Sequence, residues 1–597
     1  MNFRIALLSA VCLAGALCGD ALAQRPPAYD TPAVYDGVTS SSQYLTGHDG
    51  VRIAISVYRP TRGGLTASEP LPVIVTQMRS QMDSPRRTEL MRYFTDRGYV
   101  WVTQDRRGTG ASFGRQTGFV NANDVQDAKS VIDWAGAQAF SSGKVVTLGC
   151  SNQGLWQYGV AALDPERLVA IAPACASPQF FDDAVVMNGI PMFPLGETHF
   201  DGACTPAPPG PEGAPPPRSS GTPTSTRRVD NDADGALLRE AQAGQTCNAP
   251  MLGQFWRSMA RDGRNTFDDY QPALQDSAVT HNEAIRRSGI AVLSLGGWYD
   301  AALSGQLAAQ AYWGGRVIMG PWAHGNGPLQ GFDLPEAEMD LNAETLRWFD
   351  FHTKGIRNGA DQPGILYYTV NAPEGREWRT AGRWSWGGDR TATYYFGDGA
   401  LTSAEPAADA EPIVYQGRDV PWFDGTYAPL RHVWNGDMNP ADMQSLSQTG
   451  PVLGQDTEVT GTPVAKLWIS ADTPDVNVFA VIEDVSPDGR STYVTDGRLR
   501  ASWRALHPSP WGVADHHWHR GNAADLEVLT SGEPARLVFD FYPVSYVFKA
   551  GHRVRVSLVT SIGQNYQYPP LNEGRTPTLT LYRGGDRASL VEVPIVE

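Results

Sequence analysis

Gly149-Cys150-Ser151-Asn152-Gln153-Gly154 is the stretch on which the reading of the fold turns. It follows the apolar run Lys144-Val-Val-Thr-Leu148 directly and runs into a helix-forming stretch at 155–162. A serine among small residues at a strand-to-helix turn is what a nucleophile elbow requires. The turn exposes Oγ and aims the next backbone N–H and the helix N-terminus at a developing oxyanion. The second glycine stands one residue later than in plain G-x-S-x-G, and an ordinary strand–helix turn reads the same way, so the motif alone does not decide.

Two further strand ends add to it. Gly296-Gly297-Trp298-Tyr299-Asp300 follows the apolar run 290–295, and Gly320-Pro321-Trp322-Ala323-His324 follows 316–319. Each places a triad-type side chain at the carboxyl end of a strand, where α/β sheets gather their active sites. The order Ser, Asp, His is that of α/β-hydrolases. Taken singly, Asp300 reads as a helix N-cap and His324 as a loop histidine. All three at strand ends point to nucleophilic catalysis.

Outward from the elbow, runs at 51–58, 71–75 and 99–103 predict strands, and 86–97 and 124–139 predict helices, with a further strand at 168–172. This β-α-β alternation implies right-handed crossovers and a parallel sheet covered on both faces. Residues 177–286 break the rhythm with a Pro/Gly/Ser/Thr tract at 205–226 and helical stretches at 236–243, 251–260 and 280–287, which read as an inserted cap. The sheet resumes at 290–295 and 316–319 and closes with a helix at 344–354. From 361 on, short alternating runs at 365–369, 393–396, 465–469, 478–482, 535–542 and 554–559 predict an all-β sandwich. The expected division is 1–23 signal, 24–176 and 287–360 the two parts of the α/β domain, 177–286 cap, and 361–597 β domain.

Composition sets outer bounds. The 597 residues allow several domains, and 41% hydrophobic with 19% charged residues is the profile of a folded chain. A formal net charge of -16 argues against nucleic acid as a partner, because phosphate neutralisation needs clustered basic residues. Arg4, an apolar run at 5–17 and Ala21-Leu22-Ala23 before Gln24 read as a secretory signal. The expectation is a periplasmic or secreted protein with no membrane contact after signal removal. Of the remaining cysteines, Cys204 and Cys247 are the favoured disulfide, because they flank the Pro-rich tract and would close a loop of about 43 residues. Cys150 and Cys175 read as free thiols, with a disulfide between them as the alternative.

With these residues in view, the sequence resembles the cocaine-esterase-like (CocE/NonD) serine hydrolases, which include α-amino-acid ester hydrolases, glutaryl-cephalosporin acylases and Xaa-Pro dipeptidyl-peptidases. The resemblance rests on Asp49-Gly-Val-Arg-Ile-Ala54, Gln104-Asp105-Arg106-Arg107-Gly108, Asp133-Trp134, the elbow, Gly297-Trp298-Tyr299-Asp300, Gly320-Pro321-Trp322 with His324, and Trp348-Phe349-Asp350-Phe351-His352. In the β part it rests on Ser486-Pro487-Asp488-Gly489-Arg490, Thr495-Asp496-Gly497 and Gly551-His552-Arg553-Val554-Arg555. It implies an α/β-hydrolase fold with an inserted helical cap and a C-terminal jelly roll. It further implies Ser151 as nucleophile, His324 as general base and Asp300 as the residue orienting the histidine, with neither metal nor cofactor.

The implied chemistry is acyl transfer through a seryl intermediate, with a small-molecule ester or amide as partner; a homo-oligomer is left open. The Asn152 backbone N–H is the first oxyanion donor. Relatives commonly have a tyrosine after the nucleophile, where this chain has Asn152. They add a second donor from an Arg-x-Pro-Tyr tyrosine; here 76–81 reads Thr-Gln-Met-Arg-Ser-Gln, leaving Arg79, Ser80, Gln81 or a backbone N–H as candidates. Asp182, Asp183, Glu197 and Asp201 are candidate anchors for a substrate ammonium, against the alternative of a solvated acidic face. Trp156, Trp298 and Trp322 are candidate pocket walls, against plain core. His516-His517-Trp518-His519 lacks the companion ligands of a metal site. Asp105 and Arg107 are expected to brace the loop beside the site. Xaa-Pro dipeptidase, β-lactam acylase, and an inert protein binding through its jelly roll are the alternative functions.

Overall fold

The computed structural model describes residues 21–22, 27–78, 85–117, 120–191, 226–245, 260–263, 277–324, 337–388, 390–420, 436–562 and 569–596. A 12-stranded sheet carries the first half of the chain. Its centre runs Gly364–Tyr368, Arg316–Ala323, Ala291–Tyr299, Leu168–Ala174, Ser141–Cys150, Leu71–Met78 and Val100–Asp105, all parallel. Arg52–Arg62 and Gly37–Thr46 continue it antiparallel at one edge and Trp378–Ala381 at the other. The central strands are buried almost throughout, as strands covered on both faces must be.

The helix placement follows from strand order. From Leu71–Met78 the chain crosses one way to Val100–Asp105, then back over it to Ser141–Cys150. With both crossovers right-handed, Pro85–Thr95 and Ala122–Gly136 fall on opposite faces. The chain thus changes direction beside the carboxyl ends of Leu71–Met78 and Ser141–Cys150, where open α/β sheets leave a crevice. Helix Ala122–Gly136 starts at a reciprocal cap between Asn121 and Asp124.

Beyond the sheet lies an all-β domain of two antiparallel sheets of nine and four strands. Its innermost strand, Asn477–Val485, is buried along its whole length. Among the described residues no helix is long and apolar enough to cross a membrane.

Two expectations need correction. The run at 365–369 is strand Gly364–Tyr368 of the large sheet, parallel to Arg316–Ala323, and not a strand of the all-β sandwich. Its apolar text is that of any strand buried on both sides, and sequence alone does not say which sheet holds it. The stretch at 280–287, assigned to the cap, forms helix Asn282–Ser288, which packs on Asn152–Ala162 and leads into strand Ala291–Tyr299 as a crossover helix. The described start of the cap is not an ordinary helix. It is one π-helical turn, Phe181–Val185, followed by the hairpin Val186–Met187 with Ile190–Pro191. The stretch at 236–243 is helix Ala236–Gln245, whereas 1–20, 205–225 and 251–259 lie outside the described residues.

Candidate active site

Ser151 stands between strand Ser141–Cys150 and helix Asn152–Ala162 with φ 59° and ψ −127°, a left-handed conformation rare for a residue with a side chain. Close packing on both flanks holds it there. Its N–H donates to the Ala174 carbonyl at 2.9 Å, tying the elbow to the end of the neighbouring strand. A Cβ on Gly154 would lie 2.6 Å from Ala176 Cβ and 3.0 Å from the Ala174 carbonyl oxygen. The helix can therefore reach that strand end only with glycine at this position, which explains the displaced second glycine of the motif.

Asp300 and His324 come together by register. Tyr299 pairs with Ala323 after a shift in the ladder at Gly297, so the next residue of each strand leaves adjacent strand ends. A Cβ on Gly297 would lie 2.1 Å from the Trp322 carbonyl oxygen, so this approach also needs glycine. His324 Nδ1 lies 3.0 and 3.2 Å from the two carboxylate oxygens of Asp300, and His324 Nε2 lies 2.9 Å from Ser151 Oγ. The Asp300 carboxylate is 2% exposed and also accepts the Ala302 N–H. Burial by itself lowers the His324 pKa, but the charge of Asp300 and its hydrogen bond outweigh burial and raise it to about 9.

Cys175, left-handed at φ 47°, brings its sulfur within 4.8 Å of the ligating atoms of Asp300 and His324. Burial and its neighbour Cys150 push this thiol well above its usual pKa, so it stays protonated. Both ring nitrogens of His324 are engaged by Ser151 and Asp300. The donor set therefore fits a proton relay better than a metal centre. Cys150 and Cys175 are reduced thiols not joined by a disulfide, whereas Cys204 and Cys247 lie outside the described residues. The other cluster with ligand geometry among the described residues, His48 with Asp49 and Asp127, has both carboxylates bound by Arg107, which donates to Asp127 at 2.8 Å and Asp49 at 2.6 Å. That network, and the Ala111 N–H on Asp105, brace the loop beside the site as expected.

On the other side of Ser151 lies a residue that the sequence did not single out. Arg106, 1% exposed, donates to Asn152 Oδ1 at 3.0 Å and pairs with the buried Asp124 at 2.5 Å. Its only sequence signal was its place in Gln104-Asp105-Arg106-Arg107-Gly108, where an arginine reads as surface. Arg79, Ser80 and Gln81 lie outside the described residues.

The pocket candidates lie elsewhere in the packing. Trp156, Trp298 and Trp322 are 0, 4 and 2% exposed. Trp298 donates to the Tyr368 carbonyl at 2.6 Å and packs edge-on to Tyr367, and Trp322 packs on Trp378. All three are buried in the packing, Trp156 on the helix that follows the elbow and Trp298 and Trp322 on strands covered from both sides. Asp182 is paired with Arg261. Asp183 accepts from Ser177 Oγ, Gln179 Nε2 and the Gly305 N–H, while burial raises its pKa to about 7. Both carboxylates are already engaged within the protein, and Glu197 and Asp201 lie outside the described residues. The three histidines of 516–519 each have a separate partner: Ser509, Asp540 and the Val538 carbonyl.

Comparison with known proteins agrees with this architecture. The family profile described as X-Pro dipeptidyl-peptidase (S15 family) matches residues 49–326, and that of the X-Pro dipeptidyl-peptidase C-terminal non-catalytic domain matches 358–592. The chain is 30% identical to a candidate serine esterase of Mycobacterium bovis over 94% of this chain and 96% of that protein. It is 27% identical to the cocaine esterase of a Rhodococcus species over 94% and 98%. An α-amino acid ester hydrolase structure superposes with a TM-score of 0.69 at 17% identity, covering 95% of this chain and 98% of the other. A CocE/NonD hydrolase from Staphylococcus aureus does so at 0.66 and 17%, covering 94% of each. With an α/β-hydrolase sheet, an all-β C-terminal domain and a full-length relative at 30% identity, this chain belongs to the X-Pro dipeptidyl-peptidase (S15), CocE/NonD family of serine hydrolases.

Proposed function

We propose that the protein is a secreted or periplasmic hydrolase of small esters, in which Ser151 is the nucleophile, His324 the general base and Asp300 the residue that orients the imidazole. The unbroken hydrogen-bonded line from Asp300 through His324 to Ser151 Oγ carries this reading. Neutral His324 accepts the Oγ proton through Nε2 as the serine attacks the carbonyl carbon. The buried Asp300 fixes the Nδ1–H tautomer and stabilises the imidazolium that forms. The imidazolium then gives its proton to the leaving oxygen, and water, activated by the same nitrogen, releases the acyl group. The Asn152 backbone N–H, at the first position of a helix, meets the tetrahedral oxyanion.

An ester or uncharged amide is favoured over an Xaa-Pro peptide with a free ammonium. Of the four candidate anchors for an ammonium, Asp182 and Asp183, the two among the described residues, are committed to Arg261 and to Ser177, Gln179 and Gly305. Ser151→Ala should lower turnover of p-nitrophenyl butyrate by about 10⁴-fold or more, and an unchanged rate would overturn the assignment. An inert protein binding through its β domain would show no turnover before the substitution. Secretion is tested by fractionating the native host: enzyme confined to the cytosol, with residues 1–23 intact, would contradict it.

A further inference from the structure

We propose that Arg106 is a positioning residue of the oxyanion hole, acting through the Asn152 side chain to hold the Asn152 backbone N–H in place. The proposal rests on the reading of Ser151 as nucleophile. The helix that begins at Asn152 lacks the usual side-chain cap, because the Oγ of its N-cap, Ser151, is turned to His324. The first turn, which supplies the oxyanion N–H, therefore has to be held from outside. Arg106 reaches it with one guanidinium nitrogen, Nη1, at 3.0 Å from Asn152 Oδ1. A guanidinium only donates, so this bond fixes which end of the Asn152 amide faces it.

The guanidinium is itself immobile. Its Nη2 bonds Asp124, 0% exposed, at 2.5 Å. Gln116, with its amide oxygen turned inward, accepts from Nη1 and Nη2 at 3.2 and 2.9 Å. Asp124 is anchored in turn by the Asn121 cap of helix Ala122–Gly136. The main chain of Arg106 completes the strut. Its N–H donates at 2.6 Å to the carbonyl of Met78, the last residue of strand Leu71–Met78, on the opposite side of the crevice from the elbow strand. One buried residue thus spans the two strand ends between which an oxyanion would lie. A fully buried arginine needs a countercharge, which Asp124 supplies, and the bond to the neutral Asn152 amide is a part of the network that charge compensation does not require.

The test compares wild type, Asn152→Ala, Arg106→Met, the double variant and Ser151→Ala, using p-nitrophenyl butyrate turnover and the affinity of phenylboronic acid, whose serine adduct is tetrahedral and anionic. Asn152→Ala leaves the Arg106–Asp124 pair intact and keeps the test valid if Arg106→Met does not fold. Each single variant should lower kcat by about 10- to 100-fold with KM changed less than about threefold, because only the transition state uses the N–H fully. Boronate affinity should fall by the same factor as kcat/KM. The double variant should be no slower than the slower single one, since the two residues act as a unit. Wild-type kcat and boronate affinity in Asn152→Ala, with Ser151→Ala inactive, would overturn the inference and leave the nucleophile assignment standing. Activity retained in Ser151→Ala would instead overturn that assignment.

Discussion

The two sides of Ser151 are built on different principles. On the His324 side the proposed mechanism rests on side chains, Asp300 and His324 ending adjacent parallel strands and meeting over hydrogen bonds of about 3 Å. On the Arg106 side the proposed working group is the Asn152 main-chain N–H, and the side chains observed around it, Arg106 and Asp124, bond the Asn152 side chain and one another. Proton transfer requires particular residue types, which therefore stand out in a sequence. Charge stabilisation by a backbone amide uses a group that every residue but proline has, so its support is visible only in the packing.

Asp300→Asn should have the largest effect that separates the two sides. It keeps the shape of the relay but favours the wrong imidazole tautomer, so kcat should fall by about 10⁴-fold, against about 10- to 100-fold for the Arg106 side. A loss below tenfold would place the relay elsewhere. The same contact sets the pH dependence. Protonated His324 cannot accept the serine proton, and with its pKa at about 9 the kcat/KM of wild type should rise with pH through about 9. In Asp300→Asn the residual activity should rise with a midpoint nearer about 6.5, the ordinary histidine value. A wild-type midpoint already near 6.5 would show that Asp300 does not hold the imidazolium.

The smallest effect is expected at Trp298, which belongs to neither side. Trp298→Phe removes the buried indole donor to the Tyr368 carbonyl and should cost about 1–3 kcal/mol of stability by chemical denaturation, with KM for p-nitrophenyl butyrate unchanged. A raised KM at unchanged stability would return Trp298 to the substrate pocket.

What the sequence made legible follows the same division. Ser151, Asp300 and His324 were found because each ends an apolar run, and their meeting in space needed only the rule that parallel strands share one carboxyl edge. The elbow glycine at 154 was seen as a departure, and its reason, contact with Ala174 and Ala176, lies in a strand distant in sequence. Arg106 was missed because a buried arginine is uncommon and its partners, Asp124 and Asn152, are 18 and 46 residues away. The tryptophans were placed near the elbow correctly in sequence but not in function, since proximity along a strand does not say which face a side chain covers. Strand Gly364–Tyr368 was given to the wrong sheet because a strand buried on both faces has no pattern that names its partners.

In the proposed mechanism Ser151 is activated by His324. A fluorophosphonate probe, incubated with wild type and with His324→Ala and mapped by peptide mass spectrometry, tests it most directly. One label per chain on the peptide bearing Ser151 in wild type, with labelling slowed by at least about 10²-fold in His324→Ala, is the predicted result. Labelling at another serine, or equal labelling of both proteins, would contradict it.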